Sequence, residues 1–227
     1  GTLYRFRIVA RNAVGAGGAS SVVTAVPRTV PSAPRSVVAT PGNGRVTVSW
    51  VEPSSTGRAA INGYIVQRSV AGGAWSDVAT VGLTVRSYTN TGLANGTSYG
   101  YRVAAVNIAG SGAVSSVVTA VPRTVPSAPR SVTAVAADQR VTVSWSAPSS
   151  TGGAAVSGYA VQRSTAGGAW WVVAALDANG RSYHDAGLTN GTSYQYRVVA
   201  QNVAGWSVAS SVVTVVPRRP PAGYYAN

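Results

Sequence analysis

Cysteine, methionine and lysine are missing from the 227 residues, and histidine occurs once, at His184. Without cysteine there can be no disulfide, no thiolate nucleophile and no cysteine-ligated zinc. One histidine cannot build an imidazole metal cage, so neither metal nor cofactor is expected. Acids are nearly as scarce. Glu52, Asp77, Asp138, Asp177 and Asp185 are scattered over different turns, whereas a glycosidase site needs two carboxyl groups facing one groove. Serine is plentiful, yet no nucleophile elbow or oriented base accompanies it. These absences argue against an enzyme. Long apolar runs are lacking too. A membrane-spanning helix needs about 20 apolar residues, and the stretch from Trp170 to Leu176 is seven. Gly1 stands first, with no charged-then-apolar leader after it, which reads as a fragment or a processed product.

What is present is basic and aliphatic. All eighteen basic residues are arginine, the net charge is +13 and the pI is near 11.1. Hydrophobic residues make up 45% of the chain, enough for a packed core, while charged residues make up 10%, against about 25% in an ordinary soluble domain. Valine and alanine dominate the aliphatics, which leans toward strands.

An internal repeat organises the chain. Pro31-Ser32-Ala33-Pro34-Arg35-Ser36-Val37 recurs 95 residues later as Pro126-Ser127-Ala128-Pro129-Arg130-Ser131-Val132. The same offset carries Trp50 onto Trp145, Tyr64 onto Tyr159, and Trp75 onto Trp170, without a gap. Run backwards, it places Tyr4 on Tyr99 and Asn12 on Asn107. The expected organisation is a partial module over 1–29 (a hairpin of its last two strands), full modules over 30–124 and 125–219, and a tail or linker over 220–227. Within a module the apolar pattern has period two: Val46, Val48 and Trp50 alternate with Arg45, Thr47 and Ser49. That alternation puts one strand face in a core and the other toward water. Turn signals such as Pro41-Gly42-Asn43-Gly44 and Asn95-Gly96 separate the runs. The pattern predicts strands near 36–40, 45–51, 61–69, 74–81, 86–91, 98–107 and 115–121, with no helical periodicity. Seven short strands in about 95 residues predict an all-β, antiparallel, immunoglobulin-like β-sandwich, repeated in tandem.

The wording of each repeat is more specific than its period. Pro-x-x-Pro leads to Val-Thr-Val-Ser-Trp, then Gly-Tyr-x-Val-Gln-Arg, then Gly-Leu-x-x-Gly-Thr-x-Tyr-x-Tyr-Arg-Val-x-Ala-x-Asn. This order resembles fibronectin type III modules, over essentially every position from Pro31 to Pro217 and the hairpin before it. The resemblance implies a structural core of Trp50 and Trp145 with Tyr64 and Tyr159, and a tyrosine corner at Tyr99 and Tyr194. It also implies an extracellular or cell-surface location, beside the other domains of a larger bacterial protein. An odd strand count would send the chain in at one pole and out at the other. The proline-rich connector Val121 to Pro129 would then join successive modules semi-rigidly, as a spacer does.

Two features are candidate binding surfaces. Arg102 and Arg197 point outward by strand parity, and so many arginines among so few acids would attract an acidic cell-wall polymer or another polyanion. The same arginines would equally serve to keep a charge-poor surface soluble. No nucleic-acid motif accompanies them. Trp206 replaces Ser111, and Trp171 replaces Ser76, in the second repeat alone. Two added tryptophans would make a sugar-stacking platform or a partner anchor; packing against a neighbouring element would account for them as well. No integrin-type Arg-Gly-Asp is present. Three readings follow: a non-catalytic spacer and binding array contacting protein or polysaccharide, a filament, appendage or phage-tail subunit that self-associates through its orphan hairpin, and a polyanion-binding adhesive module.

Overall fold

The structure is a computed structural model that describes residues 2–219; the expected tail over 220–227 lies outside them. It is all-β, with no helix among the described residues. Among the described residues, chain contacts divide it into two compact units, one of residues 2–41, 45–91 and 98–120, the other of 42–44, 92–97 and 121–219.

In the first unit the leading segment holds β1 (Tyr4–Phe6), β2 (Val9–Asn12), β3 (Gly15–Ala19) and β4 (Val23–Ala25), paired β1 with β4 and β2 with β3. Every residue from Thr2 to Val30 is exposed. Then follow β5 (Arg35–Gly42), β6 (Arg45–Val51), β7 (Ile61–Val70), β8 (Trp75–Gly82), β9 (Ser87–Thr91), β10 (Tyr99–Asn107), β11 (Gly110–Val114) and β12 (Val118–Ala120). One sheet runs β5-β6-β9, and the other runs β11-β10-β7-β8 with β12 also on β10. All these pairings are antiparallel where the register is defined. Alternation decides what each strand buries: Val46, Val48 and Trp50 of β6 and Tyr64 and Val66 of β7 are withdrawn from water, as are Tyr99, Tyr101, Val103 and Ala105 of β10.

The second unit repeats the plan with β13 (Arg130–Ala137), β14 (Arg140–Ser146), β15 (Gly158–Thr165), β16 (Trp170–Asp177), β17 (Ser182–Ala186), β18 (Tyr194–Asn202), β19 (Gly205–Trp206) and β20 (Val213–Val215). Its sheets are β13-β14-β17 and β16-β15-β18-β19, with β20 on β18. Between them lies one core cluster that includes Val141, Val143, Trp145, Tyr159, Val161, Tyr194, Tyr196 and Val198.

The last strand departs from expectation. The apolar pattern predicts a single run over 115–121; β11 instead begins at Gly110 and pairing resumes only at β12. The interruption is Ser115. Its amide donates to the Val103 carbonyl at 2.9 Å, but its hydroxyl Oγ accepts the Val103 amide at 3.0 Å and donates to the Ser116 carbonyl. A side chain has taken a place in the ladder, so the backbone turns away. Ser20 does the same with Ile8, and Ser210 with Val198, at the repeat offset.

Candidate functional site

Trp50 and Trp145 are 4% and 5% exposed. Each indole packs tilted against a tyrosine, Trp50 on Tyr64 at 5.4 Å and Trp145 on Tyr159 at 5.7 Å between ring centroids. Tyr99 and Tyr194 are buried at the start of β10 and β18, and the Tyr194 hydroxyl accepts the Thr189 amide at 3.1 Å. These six residues therefore lie inside the sandwiches. Burial pushes the Tyr64 phenol up, although the Arg86 guanidinium over its ring pulls the other way.

The arginines have a use that parity alone did not reveal. Arg102 lies 4.3 Å over the Trp75 ring and Arg197 lies 4.2 Å over Trp170. Arg68, Arg86, Arg163 and Arg181 likewise sit over tyrosine rings. A guanidinium over an aromatic face is held by the ring quadrupole, and its stem covers apolar surface. Six of the eighteen arginines are thus engaged within the sandwiches. The carboxylates are engaged too. Glu52 pairs with Arg86, Asp77 accepts from the Gln67 amide, Asp138 accepts from Asn190, Asp177 caps its own turn, and Asp185 pairs with Arg163.

On the outer face of the β16-β15-β18-β19 sheet lies a groove of about 630 Å³. Its floor is Ala160, Ala175 and Val199, and Trp206 and Val208 stand along it. Gln162 and Arg197 supply its polar groups, the Arg197 Nε donating to Gln162 Oε1 at 2.6 Å. A bulge between Val161 and Gln162 in the β15–β16 register lets both Val172 and Ala175 reach this face. Of the four residues singled out as binding surface, Trp206 and Arg197 share the groove. Trp171 is 71% exposed but alternates with Trp170 and Val172, so it points away from it. Arg102 belongs to the equivalent face of the first sandwich. Gln162 and Val172 escaped sequence reasoning. The available signal was the exchange of Asp77 for Val172 at the repeat offset.

Among the described residues, no group of three or more His, Cys, Asp or Glu side chains is placed to hold a metal ion, and no helix is long and apolar enough to cross a membrane. The family model for the fibronectin type III domain matches residues 32–121 and again 127–216. The chain belongs to the fibronectin type III family. Its modules are 32% identical to part of Exoglucanase B of Cellulomonas fimi, over 98% of this chain and 21% of that protein. They are 30% identical to part of the striated-muscle M-protein of Gallus gallus, over 90% of this chain and 15% of that one. Chitinase A1 of Niallia circulans is 34% identical over 82% of this chain and 27% of its own length. The chain therefore spans about a quarter or less of each of these relatives.

Proposed function

We propose that this pair of fibronectin type III modules is a non-catalytic spacer and binding array of a larger secreted or cell-surface protein that works on polysaccharide. One observation carries the reading: nearly the whole chain aligns with a fifth of an exoglucanase, and most of it with about a quarter of a chitinase. In this reading the reaction belongs to other domains, and the two sandwiches supply separation and weak contact with the solid substrate. Co-sedimentation of the purified chain with microcrystalline cellulose and with chitin, at low and high salt, tests it. Retention that survives high salt is the expected result, because apolar contact is not screened as exposed charge is. Complete recovery in the supernatant with both solids would overturn the binding role. Retention that disappears with salt would favour a polyanion surface instead.

A second reading has its own observation. Phe6 is 54% exposed although its repeat counterpart Tyr101 is fully buried, and Leu3, Tyr4 and Ile8 are bare as well. A hairpin with that much uncovered apolar surface suits self-association, by completing a sheet across chains.

A further inference from the structure

The two sandwiches act as each other's control at the groove. In the first, Gln67 is doubly engaged: its oxygen accepts from Arg102 at 2.7 Å, and its amide nitrogen Nε2 donates to Asp77 at 2.7 Å. In the second, Gln162 keeps the bond to Arg197, but Val172 stands where Asp77 was. Among the described residues no protein atom accepts a hydrogen bond from Gln162 Nε2 or from the two terminal Nη groups of Arg197. Three further exchanges open and wall the same place. Ala160 replaces Ile65 and Ala175 replaces Thr80, lowering the floor, while Trp206 replaces Ser111 and raises a flat aromatic wall.

We infer that this groove of the second sandwich binds a neutral pyranose chain, stacked on Trp206 with its hydroxyls accepting from Gln162 Nε2 and Arg197. The inference rests on the polysaccharide reading above and adds the site and the class of sugar. A pyranose ring offers what the groove is built for. Its axial C–H face is apolar and weakly positive, and so fits the electron-rich face of an indole. Its equatorial hydroxyls accept hydrogen bonds from donors at the ring edge. The volume lies inside the usual range for ligand clefts, about 300–1,000 Å³. A neutral chain fits better than a polyuronate because the lining holds a single cation, Arg197, with its Nε already given to Gln162, and so cannot match a carboxylate on every ring.

Titration of the full chain with cellohexaose and chitohexaose, followed by tryptophan fluorescence and calorimetry, tests the assignment. Trp206→Ser and Val172→Asp are the decisive variants, since each restores the residue the first sandwich already folds with. Association with at least one hexaose is expected, and each variant should weaken it at least about tenfold, with the melting temperature nearly unchanged. Val172→Asp should act without touching the stacking surface, by capping Gln162. Failure of the wild type to bind either hexaose, or variants that bind like the wild type, would overturn the groove. Preference for polygalacturonate over both hexaoses would overturn neutrality. If the chain still sediments with cellulose or chitin while the variants behave as wild type, the groove fails and the broader reading stands.

Discussion

Asn90 and Asp185 occupy the same place in the two sandwiches and show how one atom changes the chemistry of a buried site. Asn90 Oδ1 accepts from Arg68 and from the Tyr101 hydroxyl, each at 3.0 Å. Asp185 binds Arg163 through both oxygens and takes the Tyr196 hydroxyl at 2.7 Å, forming a charged cluster in the second core. Burial tends to lower the Arg163 pKa, but the hydrogen bond and charge of Asp185 raise it further. Burial also pushes up the phenols of Tyr101, to about 12, and Tyr196, where the Asp185 hydrogen bond adds to the effect. The sign of the pH dependence follows. A tyrosine whose pKa is higher when folded holds its proton more tightly in the native state, so its contribution is complete below about pH 10 and is lost as pH rises through about 12. Thermal stability should therefore fall steeply over that window. Tyr101→Phe should flatten the loss in the first sandwich while lowering stability near neutrality through the missing bond to Asn90. An unchanged alkaline slope in the variant would remove Tyr101 from the account.

At the scale of the element, each sandwich grips the chain that enters it. The Thr124 amide donates to the Gly152 carbonyl at 2.8 Å, and Asn202 Nδ2 donates to the carbonyls of Thr124 and Thr151. Thr29, Gly57, Thr56 and Asn107 repeat the clasp. Gly152 has φ +73°, and a Cβ there would lie 2.1 Å from the Thr124 oxygen. Gly152→Ala should thus cost at least about 2 kcal/mol by combining an unfavourable backbone angle with a clash. Denaturant unfolding should register this in the second sandwich with the first unaffected. Elements of this kind were largely legible beforehand. Alternation along residues 45–51 and 98–107 reports a strand with one wet face, and an offset free of gaps reports a repeated fold. The split of the last strand was not legible, because one serine hydroxyl replaces a backbone partner there and leaves no mark on the apolar pattern. Nor was the groove, which arises from differences in side-chain size across four strands. Trp206 signalled it, but adjacent Trp170 and Trp171 cannot share a strand face, so a platform made of both added tryptophans was not available.

For the molecule as a whole, the leading hairpin and the charge pose different questions. A two-stranded ribbon is marginal in water by itself, and every residue from 2 to 30 is exposed. If the hairpin completes a sheet across chains, amide exchange over residues 2–27 should slow markedly as protein concentration rises, while exchange in β6 and β14 stays constant. Equal, rapid exchange at dilute and concentrated ends would remove the self-association reading. The net charge of +13 belongs to the same scale. With six of the eighteen arginines lying over rings, the remaining charge is a diffuse positive field around two apolar-cored bodies.

The serine that breaks each final strand has a further consequence. Open sheets carry a margin of idle donors and acceptors onto which stray chains can accrete. Ser115 and Ser210 break the strand at one margin of each sandwich by bonding to the strand beside it, whereas β8 and β16 on the opposite margin run unbroken for eight residues. The interruption that spoils a regular strand therefore shortens, on one side of each valine-rich sandwich, the ribbon that edge-to-edge accretion needs.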